Sequence, residues 1–390
     1  MENETASHPE GASGEQPEFE QQARFAEREF NVRDYGAVGD GQTDDTVAIQ
    51  TAIDDATDGY ATVYIPDGRY RLSDPLFVGS QTRLRGSGTE HSVLERTDGH
   101  LMYVTGAHEV QVVELTLTGS YPNDPWSTGI VASGADDLKV QGCRFQDLHA
   151  GVYLENARGI QITDCVFETI GASGVRLGYG GENTANEYIY VQRNTFQHVN
   201  HAALDGNSAI HAHGHPDARN EHVWIEDNHV LSGGIGIGLD NIDYASVSRN
   251  RIVGNDVRGE CIAIIGSNNQ ILDNEVSNSI AAGILIWGVA YREIANNVVR
   301  GNTCYDNAQG IAIVCGQDHT IIDGLLIEEN RCYATSPESR QAFGIQSYIN
   351  GTVNFEWRDV YVVANDLRGN AVSAYNFYPP RDVVMLDNLI

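Results

Sequence analysis

Residues 250–276 read Asn-Arg-Ile-Val-Gly-Asn-Asp-Val-Arg-Gly-Glu-Cys-Ile-Ala-Ile-Ile-Gly-Ser-Asn-Asn-Gln-Ile-Leu-Asp-Asn-Glu-Val, opening and closing on one phrase: asparagine, any residue, aliphatic side chain. The phrase recurs outward in both directions. Before it come Cys143-Arg-Phe145, Cys165-Val-Phe167, Asn194-Thr-Phe196 and Asn228-His-Val230; after it come Asn302-Thr-Cys304, Asn330-Arg-Cys332, Asn365-Asp-Leu367 and Asn388-Leu-Ile390. Successive copies lie 22, 29, 34, 22, 24, 28, 28, 35 and 23 residues apart. A base period near 22 with insertions of variable length is the mark of a solenoid, one supersecondary unit per repeat. Asparagine tolerates the left-handed conformation that a tight corner needs, and stacked asparagine amides hydrogen-bond from one repeat to the next. The repeat predicts an all-β chain, a parallel β-helix in which each rung buries its apolar edge against its neighbours.

The ends of a solenoid need covers. Residues 1–17 are polar and unpatterned, which predicts a disordered tail. Residues 18–29 suit a short amphipathic helix with Phe19 and Phe25 (and Phe30 just beyond) as apolar contacts, able to cap or dock. Residues 30–105 then form the cap and first rungs, and 106–390 the β-helix proper. Asp44 or Asp45 is placed to N-cap a helix whose apolar face is Ala48, Ile49, Ala52 and Ile53, and Ala61–Leu72 reads strand, Pro-Asp-Gly turn, strand. At the far end the chain stops at Leu389-Ile390 in mid-rung, so the last rung is expected to be covered by a partner subunit or continued by further chain.

The run from Phe30 to about Leu94 resembles the N-terminal segment of the pectate-lyase-3-type β-helix proteins. The resemblance rests on the Asp34-Tyr-Gly-Ala37 loop, Gly39-Asp-Gly41, Thr43-Asp-Asp-Thr46, Ile65-Pro-Asp-Gly68 and Leu84-Arg-Gly-Ser-Gly88. It implies a capped right-handed β-helix of the kind found in polysaccharide lyases, glycoside hydrolases and viral tailspikes. Such a motif is architectural and carries the fold, not the reaction. Of the polygalacturonase motifs only Ala212-His213-Gly214 has a counterpart, and the Asp-Pro-His signature of mannuronan epimerases is replaced by His215-Pro216-Asp217, the same residues in another order. No family catalytic set carries over.

Charge narrows the setting. Lys+Arg number 24 and Asp+Glu 54, a net charge of −30, and Lys139 is the one lysine. Such a surface repels itself in dilute buffer and is relieved by molar salt, where the Debye length falls to about 3 Å. The composition is that of haloarchaeal proteins, from a highly halophilic source. Without a basic stripe, nucleic acid is excluded as a partner, and no apolar run approaches the ~20 residues of a membrane insertion. The N-terminus shows no secretory signal, so an extracellular or virion-associated location is expected, the latter as a homo-oligomer (a trimer among the options) or docked to a larger assembly.

Taking Val152 and Leu154 as inward-pointing, strand alternation sets Tyr153 and Glu155 outward, followed by Arg176, then His211 and His213, then Gly236, Gly238 and Asp240. Beyond these the face turns apolar and reaches Trp287, able to stack a sugar ring. The expected ligand is an acidic polysaccharide. Elimination from a uronate needs a base (His211 or His213), a carboxylate clamp (Arg176) and an acid (Tyr153), with Glu155, Asp240, Trp287 and Tyr179 as substrate contacts. Hydrolysis needs a carboxyl pair, and Glu155 and Asp240 stand about 14 Å apart by strand spacing, beyond either standard geometry. His211-x-His213 with Asp240 also has metal-ligand spacing, so a divalent cation such as Ca2+ is an alternative occupant, though no metal ligands are assigned; no organic cofactor is called for. Three functions remain open: a lyase or depolymerase, a non-catalytic glycan-binding spike of a haloarchaeal virus, and a uronate epimerase.

Overall fold

The computed structural model describes residues 24–25, 28–178, 185–199, 208–215, 218–232, 234–254, 259–289, 293–316, 319–349, 354–377 and 383–390. Among them, 15 strands form one parallel sheet, 22 form a second that winds through two faces of the coil, and three form a short third sheet. Every inter-strand ladder is parallel, and each strand pairs with its counterpart one rung on: Ala61–Ile65 with Thr82–Gly86, Asp136–Gln141 with Arg158–Thr163, Ile262–Ile265 with Ala282–Gly288. The architecture is the right-handed parallel β-helix that the repeat and the family resemblance together predict. The core runs the length of the coil. It includes a file of Phe145, Phe167 and Phe196, whose rings stack face to face at 4.9 and 4.7 Å. Gly151 and Gly174 make room for that file, since a Cβ on either would come within 2.6 Å of a ring.

The asparagines of the repeat are buried and act as expected. Asn274 Oδ1 accepts from Asn250 N at 2.9 Å and Asn250 Nδ2 at 3.0 Å, while Asn274 Nδ2 donates to Val247 O and Asn302 Oδ1, both at 2.9 Å. The same bonds repeat from Asn194 through Asn388. At the N-terminal end of the file sulfur replaces the amide: Cys143 N points to Cys165 Sγ at 3.4 Å, and all six cysteines are buried free thiols. One position ahead of the asparagines, in left-handed conformation, runs a file that sets acids beside arginines. Arg193 pairs with Asp164 at 2.8 Å and Arg249 with Asp227 at 2.9 Å. These exposed pairs are worth little singly, but they place cations among the acids of a chain with 54 carboxylates.

The cap is built from helix Thr46–Ala56, which buries Ile49, Ala52, Ile53 and Ala56 over the first rung. Asp45 sits at its N-cap but its carboxylate turns back to the glycine loop, accepting from Val38 N at 2.6 Å and Gly39 N at 3.0 Å. Asp44 instead receives Thr46, and hydroxyl bonds from Thr46 and then Ser73 hold its carboxyl down to about 2. Glu29 opens strand Glu29–Asn31, so the helix expected over 18–29 does not extend to its last residue. Most of that helix, and the tail before it, lie outside the described residues.

A second corner file, also left-handed, carries Gly159, then Tyr188, His222 and Tyr244, then Asn268 and Asn296. Bulky side chains in this conformation cost roughly 1–2 kcal/mol each. Stacking of Tyr188 on His222 at 5.0 Å, and of His222 on Tyr244 at 5.4 Å, returns about 0.5–1.5 kcal/mol per pair. The aromatics therefore occupy positions that the backbone would give to glycine or asparagine.

The buried amide file sets a stability prediction. Asn274→Ala orphans the amide of Asn250 and the carbonyl of Val247, and should cost about 2–4 kcal/mol of unfolding free energy. Asn296→Gly removes an exposed amide bond to Asn268, keeps a residue suited to the left-handed position, and should cost under about 0.5 kcal/mol. Denaturant titration of both variants in molar KCl checks the contrast.

Candidate functional site

The residues expected on one outward face come from strands Arg144–Glu155, Val166–Leu177, Ser208–His213 and Ile235–Asp240. Their register brings Tyr153 beside Arg176, Arg176 beside His211, His211 beside Gly238, and His213 beside Asp240. Arg176 Nε donates to Gly178 O at 3.3 Å, fixing the guanidinium over the strand end. His213 Nε2 lies 3.7 Å from Asp240 Oδ2, both side chains about one-third exposed. Glu155 accepts from Ser133 Oγ at 3.1 Å, tying it to the preceding rung. Trp287 stands two rungs past Asp240, on strand Ala282–Gly288, with 36% of its surface exposed. Tyr179 lies outside the described residues.

The two histidines differ. The rings of His211 and His213 are parallel at 5.7 Å. His211 is only 5% exposed, its Nδ1 is 3.4 Å from Ser208 Oγ, and its buried Nε2 has no hydrogen-bond partner. Burial foremost, then the charge of Arg176 and the neighbouring His213, push its pKa down to about 3. His211 is thus a neutral platform beneath the face, and His213 is the imidazole that a ligand meets.

One expectation is revised. Gly236 does not face outward, because a Cβ there would point at Ile252 Cγ2 in the core, 2.6 Å away; Gly238 alone of the pair sits on the face. It stays open because Ser208 Oγ would lie 2.3 Å from its Cβ. Among the described residues no three His, Cys, Asp or Glu side chains converge to hold a metal ion, His211, His213 and Asp240 included.

The face also extends further toward the N-terminus than strand alternation implies. His149 lies within electrostatic reach of Arg176, whose charge adds to burial in lowering the histidine's pKa. Its ring is 6.4 Å from Tyr121 and 5.7 Å from Trp126, which is 67% exposed. Tyr103 stacks on Phe77 at 5.4 Å and meets His100 edge-on at 5.6 Å. Residues 120–127 thus raise an aromatic wall at this end of the groove. At the other end Ala282, Leu285, Ala312 and Val314 are buried as a small outer cluster with Ala263 and Tyr348, and burial raises the pKa of nearby Glu260. The chemistry available is one fixed cation, one imidazole–carboxylate pair, one phenol and a flanking aromatic wall, all on one groove.

The fold is that of a right-handed parallel β-helix. Residues 29–218, just under half of the chain, match the family described as Rhamnogalacturonase A/epimerase, pectate lyase-like. It is 37% identical over 132 residues to Alginate lyase 7 of Azotobacter vinelandii, covering 28% of this chain and 15% of the relative. It is 36% identical over 271 residues to the Pre-neck appendage protein of Bacillus phage B103, covering 65% of this chain and 26% of the relative. The chain therefore spans about a quarter or less of the length of these curated relatives. Its fold is similar to that of the Azotobacter vinelandii Mannuronan C-5 epimerase AlgE6 A-module, with TM-score 0.59, 19% identity, and coverage of 92% of this chain and 98% of that one. Among the described residues no helix is long and apolar enough to cross a membrane.

The state of His211 yields a pH prediction. A histidine held neutral in the fold takes up its proton in the unfolded chain first, so the unfolded state binds more protons as pH falls from 6.5 toward 3. Stability should therefore drop across that window, and His211→Gln should flatten this part of the dependence. Melting temperature against pH, wild type beside variant, measures it.

Proposed function

We propose that the protein holds an acidic polysaccharide along the face from Tyr153 to Trp287 and cleaves it by elimination. The observation that supports this most is the register: Arg176 lies one rung from both Tyr153 and His211, and the His213–Asp240 pair flanks the same line. Arg176 clamps the uronate carboxylate and stabilises the charge that develops beside it. His213, oriented by Asp240, takes the C5 proton. The C5–H electrons form the C4–C5 double bond as the C4–O bond breaks, and the leaving oxygen takes the proton of Tyr153. Tyr153 is two strand spacings from His211, about 10 Å along the axis, with Arg176 in register between them. Glu155, Trp287 and Tyr179 contact neighbouring sugars, and the aromatic wall at Trp126 closes one end of the groove.

Epimerisation shares the first step and differs in returning the proton to the opposite face of C5. The fold shared with a module called a mannuronan epimerase favours keeping that outcome in the assay. A second reading, a glycan-binding spike without turnover, is favoured by the 271-residue likeness to a phage appendage protein. In either case the setting proposed is extracellular or virion-associated, as a tailspike-like component in an oligomer (a trimer among the options) or a larger assembly. A halophilic, haloarchaeal host is proposed from the charge of −30. So acidic a protein meets an anionic polymer only when salt screens the repulsion.

The test is a depolymerisation assay on uronate polymers in about 2–3 M KCl, a range where screening is nearly complete. Unsaturated product should form, fall at least about 100-fold in Arg176→Ala and in His213→Ala, and vanish in dilute buffer. Reducing ends without unsaturation would mean hydrolysis. A changed uronate ratio without cleavage would mean epimerisation. Binding without either would leave the spike.

A further inference from the structure

The strand Arg144–Glu155 bends at Asp147, which takes a left-handed conformation, so the residues before the bend face another side of the coil from Tyr153. On that side Arg69, Val93, Thr116 and Arg144 fall in register on four consecutive rungs. Two positions on, the same rungs carry Arg71, Glu95, Thr118 and Gln146. A cavity of about 170 Å³ opens here, bounded by Arg69 and Arg144 and lined between them by Val93, Thr116, Gln146 and Asp147. The two arginines are three strand spacings apart, about 14 Å.

Three observations mark the cavity as more than a surface dent. First, neither guanidinium is used up by its acid. Arg69 gives Nε and Nη2 to Glu95 at 2.6 and 2.7 Å, which leaves Nη1. Arg144 gives Nη2 to Glu90 at 2.7 Å, while its buried Nε has no hydrogen-bond partner. Second, Glu90 is 70% exposed, so its hold on Arg144 is weak and a ligand carboxylate can replace it at little cost. Third, burial and then the charge of Glu168, one rung past Gln146, raise the pKa of Asp147. Its carboxylate therefore gains from a hydroxyl that donates to it.

We propose that this cavity binds a single uronic acid residue, its carboxylate on Arg144 and its hydroxyls on Gln146 and Asp147, with the ring over Val93 and Thr116. A bare inorganic anion would meet Arg144 but be repelled by Asp147. A neutral sugar would satisfy Asp147 and leave Arg144 as it is. A sugar acid answers both, and a guanidinium–carboxylate contact is the strongest that the site can offer. The volume lies below the roughly 300–1,000 Å³ of pockets for drug-sized ligands, which suits one ring, at a chain end or on a side branch, and not a polymer threading through. The site rests on this cavity alone and stands whether or not the groove cleaves.

The probe is methyl glucuronide, titrated by calorimetry into Arg176→Ala protein in about 2–3 M KCl, so that the clamp of the groove does not compete. Val93→Phe, which fills the space and keeps both arginines, and Arg144→Gln should each weaken binding at least about tenfold. Glu90→Gln removes the competing carboxylate and should tighten binding about threefold. Unaltered affinity in Val93→Phe and Arg144→Gln, weaker binding in Glu90→Gln, or no binding at all would overturn the inference. So would methyl glucoside or inorganic sulfate binding as tightly as the glucuronide.

Discussion

From Asn194 to Asn388 the coil hangs on a buried amide that bonds its own copy one rung away. Each asparagine of the file accepts from the backbone and the side chain of the asparagine before it, and donates to the one after and to a carbonyl across the corner. An amide has two donors and an acceptor with two lone pairs, so this arrangement leaves nothing unsatisfied in a place where an orphan would cost about 1–3 kcal/mol. From Asn194 onward the bond is from like to like and fixes each corner at the same place; in the rungs of Tyr153 and Arg176 the corner is held by Cys143 and Cys165, with Cys143 N on Cys165 Sγ and Cys165 N on Asn194 Oδ1. Register down the strands is set by those corners, and register alone sets Arg176 between Tyr153 and His211. The site is a consequence of a repeat that has nothing to do with catalysis.

That dependence explains how much the residues disclosed in advance. The asparagine phrase, the inward Val152 and Leu154, and the line Tyr153, Arg176, His211, Gly238 were all legible, because a strand alternates with period two once its phase is known. Legibility ends at corners. Asp147 and Thr169 take left-handed conformations inside the long strands that lead to the groove, and each resets the alternation of the residues after it. Counting back from Val152 therefore does not find His149 within reach of Arg176, nor Trp126 and His100 from the preceding loops. Gly236 also turns inward against expectation, its Cβ direction meeting Ile252 in the core. Burial was the other blind spot: His211 and His213 look alike as text, but one is 5% exposed and the other is at the surface.

Charge bears on the proposed ligand. A chain at −30 has few places where an anionic polymer can lie. The proposed groove carries Arg176, and the arginine–acid pairs at the corners hold their charge close to the scaffold. On the proposed reading salt acts on both fold and recognition by one mechanism, screening of self-repulsion on one side and of protein–polymer repulsion on the other.

The central claim is that register assembles a uronate site around Arg176 and His213. A crystal structure of the His213→Ala protein with a uronate hexasaccharide, grown in molar KCl, tests it most directly. The account predicts a sugar carboxylate on the Arg176 guanidinium with that sugar's C5 facing the vacated position 213, beside Asp240. A hexasaccharide bound elsewhere, or one in the groove with no carboxylate near Arg176, would contradict it.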